Sequence, residues 1–486
     1  MLTRLLLVLS FLFALPAQAA GIAWQPWEGA FKSAQAGNKL VFLYLEAVWC
    51  HWCHVMQKTT FTDAAVQAEL ARHYIAVTVD HDADPALANR YRDYGWPALI
   101  ILAPDGSDRS KHAGFMAARD FTQFLKTAAT GSALETQTAI AEIGSPRLST
   151  RARDLLLKMH DDSYDPELGG LKSAQKFMDR DSIEYALAHR EDPTEQQKAE
   201  KTLDAARALI DPVWGGVYQY STHGDWRHPH YEKIMRVQAG YLRLYALAYG
   251  ALKRPQDLRS AQAIRDYLFN FLRSPQGAFY VSQDADLIQG QKAHDYFALG
   301  DPARRKLGLP RIDKNLYAQE NGWAIEALTV LHETSNDPPA LEAALRAADW
   351  VLNHRALPGG GFSHGDHDQG GPYLGDTLAM GRAFVALHRA TGKAEWRHRA
   401  NQAAAFIVKN FAAPAGYFTA AVSKDGLAPV TDVEENIFAA RFFAALSRVA
   451  DAQHAMKSLT AESFIANRFE EAGILLADEE LTKIPR

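Results

Sequence analysis

Only two cysteines occur in the chain, Cys50 and Cys53, and they sit three residues apart just behind the apolar run Lys39-Leu-Val-Phe-Leu-Tyr-Leu45. That placement limits the fold more than any other feature. With no third sulfur, neither a scaffold of structural disulfides nor a multi-cysteine zinc site can be built, so the 486 residues must be held by ordinary hydrophobic cores. An apolar content of 48% and a charged content of 22% are enough for that. The length calls for two or three units of ~100 to 200 residues each. The 52 basic and 57 acidic residues leave a net charge of -5, with no cationic excess to hold a phosphate backbone, so no nucleic-acid partner is expected.

Residues 1–20 read as an export signal: Arg4, the apolar run Leu5 to Leu15, then Pro16 and the small-residue site Ala17-Gln18-Ala19. Cleavage is expected after Ala19 or Ala20. The apolar run falls short of the ~20 residues that span a bilayer. A periplasmic or secreted chain follows, without a membrane partner after cleavage, and in such a compartment a cysteine pair can cycle with redox partners.

Residues 21–130 alternate strand and helix signals. Strands are expected at Lys39–Leu45, Tyr74–Val79 and Ala98–Leu102, with helices from Cys50 to about Ala71, from Pro85 to Tyr94 and from Asp120 to Ala128. The Cys-x-x-Cys then falls at a strand-to-helix junction, the thioredoxin-like context. A cysteine in a first helical turn faces unpaired N–H groups and the positive end of the dipole, which favours its thiolate. Cys50 is read as the exposed nucleophile and Cys53 as the resolving thiol, with a thiol or disulfide protein as partner. Trp49, His51, Trp52 and His54 surround the pair. Trp96-Pro97 is expected in the cis form beside the sulfurs, against a base rate of ~5% for X–Pro bonds. Three other readings stay open: Cys50-His51-Trp52-Cys53-His54 matches the c-type haem attachment pattern, its four donors could hold a metal, or the pair could be inert. No cofactor and no metal are expected.

The run Trp49-Cys-His-Trp-Cys-His-Val-Met56, with Phe61, Val79-Asp80, Tyr94-Gly95-Trp96-Pro97 and Pro104-Asp105-Gly106, resembles the family typified by the mammalian spermatogenesis-associated thioredoxin-like protein. The resemblance implies a thioredoxin-like domain followed by a six-hairpin toroid, related in fold to glycosidases and sugar 2-epimerases. One departure from ordinary thioredoxins stands out. The acid that serves there as buried proton acceptor, six residues before the first cysteine, is Tyr44 here, so proton handling differs or Glu46 substitutes.

A small, polar linker is expected over 131–149. From 150 to 486 helix-period runs recur, among them Ala152–His160, Glu195–Ile210, Tyr231–Ala251, Ala318–Glu333, Thr377–Thr391, Glu434–Ala450 and Met456–Phe469. Between them come Gly-aromatic loops such as Gly215-Gly-Val-Tyr218 and Gly359-Gly-Gly-Phe362. Recurrence every ~45 to 85 residues marks stacked helical hairpins, and an all-α (α/α)6 toroid fits better than a tetratricopeptide superhelix. Asp211-Pro-Val-Trp-Gly-Gly, Trp226-Arg-His-Pro-His-Tyr-Glu-Lys and Gln283-Asp-Ala-Asp286 extend the family resemblance into this region. Carboxylates beside aromatic platforms are what sugar hydrolysis uses, and histidines can move the proton in an epimerisation. The candidate toroid site is therefore His230, Glu232, Asp284, Asp286, Asn321 and Asp376. The expected function is thiol–disulfide exchange coupled to a toroid that binds a partner or a glycan. A carbohydrate-active enzyme and a non-enzymatic binding protein are the alternatives.

Overall fold

The computed structural model describes residues 21–91, 95–131, 142–366, 368, 371–421 and 427–485. The expected signal at 1–20 and most of the expected linker lie outside the described residues.

The first domain is built on a four-stranded sheet in the order β2-β1-β3-β4, with β1 (Leu40–Glu46), β2 (Tyr74–Asp80), β3 (Ala98–Leu102) and β4 (Asp108–Ala113). β1 runs parallel to β2, with Tyr44 opposite Thr78, and antiparallel to β3, with Tyr44 opposite Leu99. The strand period of two divides the core. Phe42, Tyr44, Leu99 and Ile101 face the layer that also contains Cys50 and Cys53, while Val41, Leu43, Leu45 and Ile100 face the other. Around the sheet lie α1 (Ala30–Gly37), α2 (His51–Lys58), α3 (Ala64–His73), α4 (Pro85–Arg90) and α5 (Ala118–Thr130).

Two expectations change here. The helix read from Cys50 to Ala71 is two helices: the chain turns after Lys58, Phe61 drops into the core, and the Asp63 carboxylate accepts the Ala65 and Val66 amides to start α3. The polar edge strand β4 lacks the apolar alternation that would have announced it.

The toroid contains α6 (Thr150–Ser163), α7 (Arg180–Ala188), α8 (Pro193–Ala206), α9 (Met235–Leu252), α10 (Pro255–Tyr267), α11 (His294–Phe297), α12 (Asp301–Leu307), α13 (Ala318–Ser335), α14 (Pro338–His354), α15 (Leu374–Thr391), α16 (Ala394–Phe411), α17 (Val433–Ala445), α18 (Val449–Met456), α19 (Glu462–Ile465) and α20 (Ala472–Thr482). Packing contacts run α7 to α9 to α13 to α15 to α17 to α20 and back to α7, a closed inner ring. Each inner helix has an outer partner: α8, α10, α14, α16, α18 and, for α20, the first toroid helix α6. Sequence periodicity missed α7 and α20 and misplaced Met456–Phe469, which spans the end of α18 and the short α19. The reason is burial. Ile183, Tyr185, Ala186 and Leu187 in α7 and the run Ile474 to Ala477 in α20 are buried on most sides, which erases the amphipathic period.

The Gly-aromatic loops return each outer helix to the ring. Gly215 has φ +72°, and a Cβ there would stand 2.2 Å from the Ala263 carbonyl oxygen, so the turn requires glycine. Inner-helix side chains hold the next residues of these loops. Gln238 exchanges hydrogen bonds with the backbone of Val217, Asn321 with Phe279 and Asn436 with Tyr417.

Charged residues from all six inner helices cross the bore. Glu184 pairs with Arg243 and Arg441, Glu326 with Arg243 and Arg382, and Glu480 with Arg441. α9 carries Tyr241 and Leu244 in the cavity beneath the first domain, and Leu247, with Arg243, in a second cavity of about 700 Å3. Among the described residues, no helix is long and apolar enough to cross a membrane.

Candidate functional site

The first domain sits on one mouth of the toroid. The short strands β5 (Tyr220–Ser221), β6 (Pro229–His230), β7 (Lys233–Ile234), β8 (Ser282–Gln283) and β9 (Ile312–Asp313) shape that mouth. β8 delivers the loop Asp284-Ala285-Asp286 against α2. The Ala285 amide reaches the Trp49 carbonyl at 3.4 Å, and Lys58 donates to the Gln289 carbonyl. Gly290, at φ +75°, lets this loop pass close to the backbone of His54. A second contact joins His364 Nε2 to the Asp82 carbonyl at 2.7 Å, and a third joins Asn89 and Arg90 of α4 to Glu435 and the Ala428 carbonyl.

Cys50 caps the N-terminus of α2, and Cys50 and Cys53 are joined as a disulfide. Cys50 Sγ accepts the Cys53 amide at 3.2 Å. The nucleophile read as exposed is only 3% exposed, packed in the apolar cluster of its own domain. Cys50 also lines a cavity of about 640 Å3 between the domains. Trp49, Trp52 and Trp96 contribute from its own domain, and Tyr220, His230, Glu232 and Arg236 from the toroid. Trp49 Nε1 donates to Asp82 Oδ2 at 2.7 Å, and Trp52 packs on Phe115. The Trp96–Pro97 bond is cis.

The toroid candidates divide into three groups. His230 and Glu232 enter the cavity. His230 stacks on Tyr220 at 4.4 Å, and Glu232 Oε2 is buried without a hydrogen-bond partner. Asp284 and Asp286 meet the histidines of the Cys-x-x-Cys helix. Asp286 Oδ1 is 2.7 Å from His51 Nδ1, Asp286 Oδ2 is 3.2 Å from His54 Nδ1, and Asp284 Oδ1 is 3.7 Å from His54 Nδ1. The donors read as one five-residue metal set thus separate, the histidines turning to toroid carboxylates and the sulfurs to each other. The third group faces neither the cavity nor α2. The Asn321 amide is taken up by the Phe279 and Tyr317 backbone, and Asp376 Oδ1 accepts from His364 and from the Gln319 amide.

The electrostatics follow from burial and pairing. Burial pushes the Asp284 carboxyl up to about 7, against the nearby His54 charge and the Asp286 amide. Burial acts to raise Asp286 as well, but hydrogen bonds from His51 and His54 outweigh it and hold the carboxyl below its usual range. For His54 burial opposes the charged form, and the Asp286 bond with the charges of Asp284, Asp286 and Glu46 overcomes it, so its value is raised. Tyr44 donates its hydroxyl to the Cys53 carbonyl at 3.1 Å, and its own ionisation is pushed far up by burial. Glu46, two residues along the same strand face, is raised by burial against hydrogen bonds from Thr78 and Gln57.

Sequence reading missed His364, Glu320 and Asp82 as a buried interdomain cluster. Burial pushes Glu320 up to about 8, and His364, with Asp376 at 2.8 Å, rises to about 10 although burial opposes its charge. No spacing signal could have joined Asp82 to His364.

The fold and site define a thioredoxin-like domain bearing a Cys-x-x-Cys, seated on an (α/α)6 toroid. Residues 9–128 match the family model described as Thioredox_DsbH: Protein of unknown function, DUF255. The resemblance read from the sequence holds. The chain is similar to spermatogenesis-associated protein 20 of Homo sapiens, 27% identical over 306 residues, a match covering 54% of this chain and 39% of that protein. It thus spans about two fifths of that relative's length. The first domain is similar to the thiol:disulfide interchange protein DsbD of Pseudomonas fluorescens, 36% identical over 87 residues, covering 17% of this chain and 15% of that one. The toroid shares the fold of a cellobiose 2-epimerase from Spirochaeta thermophila, with a TM-score of 0.51 at 14% identity over 69% of this chain and 97% of that one.

Proposed function

We propose that the chain is an exported thiol–disulfide exchange protein whose substrate sulfur reacts inside the interdomain cavity, while the toroid wall binds the remainder of the partner or glycan that carries it. One observation bears most of this reading: Cys50 shares a single cavity with His230 and Glu232 of the toroid. The thioredoxin-like family match and the similarity to the DsbD protein support the chemistry.

In the oxidising direction, a substrate thiolate attacks Cys50 Sγ. The Cys50–Cys53 bond breaks, and Cys53 leaves as a thiolate at the start of α2. A second substrate thiolate then attacks the mixed disulfide, releasing the substrate disulfide and the Cys50 thiolate. Two electrons pass from substrate to protein, and the protons move to the protein sulfurs or to water. Reduction is the reverse sequence. Glu46 carries a raised carboxyl on the sheet face that holds Tyr44 and is the group we assign to proton transfer near Cys53.

Trapping tests the proposal. Cys53→Ser should retain a mixed disulfide at Cys50 after exposure to a small disulfide or to an extended peptide that carries a disulfide. The double variant Cys50→Ser with Cys53→Ser should retain none. An empty trap with both probes refutes exchange and favours a binding protein. Glu232 Oε2, buried without a hydrogen bond and 3.8 Å from His230 Nδ1, favours a second reading, a carbohydrate-active toroid. Glycan turnover that survives Cys50→Ser and disappears in Glu232→Gln would establish it.

A further inference from the structure

We propose that His54, Asp284 and Asp286 form a divalent-cation site at the seam of the two domains, suited to a zinc-like transition-metal ion held by one imidazole nitrogen and two carboxylates. The donor atoms already stand close together. His54 Nδ1 is 3.2 Å from Asp286 Oδ2 and 3.7 Å from Asp284 Oδ1, and one donor atom from each residue lies within 4.8 Å of the others. Zinc bonds to nitrogen and oxygen of ~2.0–2.2 Å place tetrahedral ligands about 3.3 Å apart. The two separations from His54 come close to that spacing, and the two carboxylates lie within 4.8 Å of each other.

A second observation points to a ligand. Asp284 is 1% exposed, and its Oδ2 has no hydrogen-bond partner. A carboxylate oxygen removed from water without a partner is costly, and a cation beside it would remove that cost. The surrounding contacts suit a metal site as well. His51 binds the other oxygen of Asp286, and the amides of Asp286 and Gly290 fix Asp284 Oδ1 and Asp286 Oδ2. Such outer bonds orient metal ligands. With both sulfurs in the disulfide, the donor set is nitrogen and oxygen only. Imidazole with carboxylates favours zinc, manganese or iron over calcium and magnesium. One ligand comes from the Cys-x-x-Cys helix and two from the toroid, so the ion would bind the docked domains and stabilise them together.

The test uses full-length protein, oxidised and stripped with EDTA. Equilibrium dialysis with Zn2+ should find one ion per chain, and thermal denaturation should shift upward with added Zn2+. Asp284→Asn and His54→Gln should each weaken binding at least tenfold while keeping the wild-type circular dichroism. Should either variant misfold, Co2+ added to oxidised wild-type protein supplies the independent readout, where nitrogen–oxygen bands without a thiolate charge-transfer band are expected. Failure of the oxidised protein to bind, undiminished binding by both variants, or a Co2+ spectrum that develops only on reduction with a thiolate band would each overturn the site.

Discussion

Asp286→Asn should open the route to the disulfide for large reductants and leave it unchanged for small ones. Asp286 lies in the toroid and accepts from His51 at 2.7 Å, His54 at 3.2 Å and the Gly290 amide at 2.7 Å, in surroundings that leave its side chain 1% exposed. Asparagine keeps the shape but loses the charge and one acceptor, so one imidazole then faces an NH2 group. A hydrogen bond to a charged group contributes ~1.5–3 kcal/mol. Losing one, with its neutral replacement kept, weakens docking by about 2 kcal/mol. At 1.4 kcal/mol per tenfold, the open arrangement becomes about 30-fold more populated. Cys50 is covered when the domains are docked. A protein reductant therefore acts on the open form, at a rate that follows the opening equilibrium. Dithiothreitol can enter the 640 Å3 cavity directly. The assay compares Cys50–Cys53 reduction by reduced thioredoxin and by dithiothreitol, in EDTA, followed by alkylation mass shift. Thioredoxin should act about 30-fold faster on the variant, and dithiothreitol at the wild-type rate. Equal acceleration by both would mean the substitution altered the sulfurs themselves, and no acceleration would mean Asp286 does not hold the domains closed.

Other outcomes can be checked on the same protein. The carboxyl of Glu320 is raised to about 8 and His364 to about 10, so the folded chain retains protons that the unfolded chain has lost. Stability should therefore fall as pH rises from about 6.5 to 8, and Glu320→Gln should make that fall shallower in urea titrations. Asp211 binds Lys233 at 2.8 Å and Arg304 at 2.7 Å with all three side chains fully buried, so Asp211→Asn should destabilise the toroid by ~3–5 kcal/mol, read from its urea midpoint. Gly215→Ala should lower the melting temperature, because the new methyl meets the Ala263 carbonyl at 2.2 Å in a left-handed turn; an unchanged melting temperature would refute the close approach.

Local order in the sequence announced much of this protein. The apolar strand before Cys50, the Cys-x-x-Cys at a helix start and the Gly-aromatic loops are short-range patterns with direct conformational meaning, and the structure places each as a strand, a helix cap or a turn. Where burial is two-sided, as in α7 and α20, the period that marks a helix disappears, and those elements could not be read. His230, Glu232, Asp284 and Asp286 were legible as chemistry-bearing types, but not how they would be divided. Asn321 carried the same polar signal while serving to hold the Phe279 loop.

Where a reactive sulfur can lie was determined by sequence: a two-cysteine chain can place thiol–disulfide chemistry only at Cys50 and Cys53. Only the tertiary structure decided where that chemistry faces. Asp286 stands 235 positions from His51, and Asp82 stands 282 from His364. Pairs so distant are brought together by the closure of the helical ring and the docking of the first domain on its mouth, and a linear pattern carries no record of that geometry because each residue's local preferences are satisfied either way. Docking places a sulfur read as exposed on one wall of a partly open cavity between the domains.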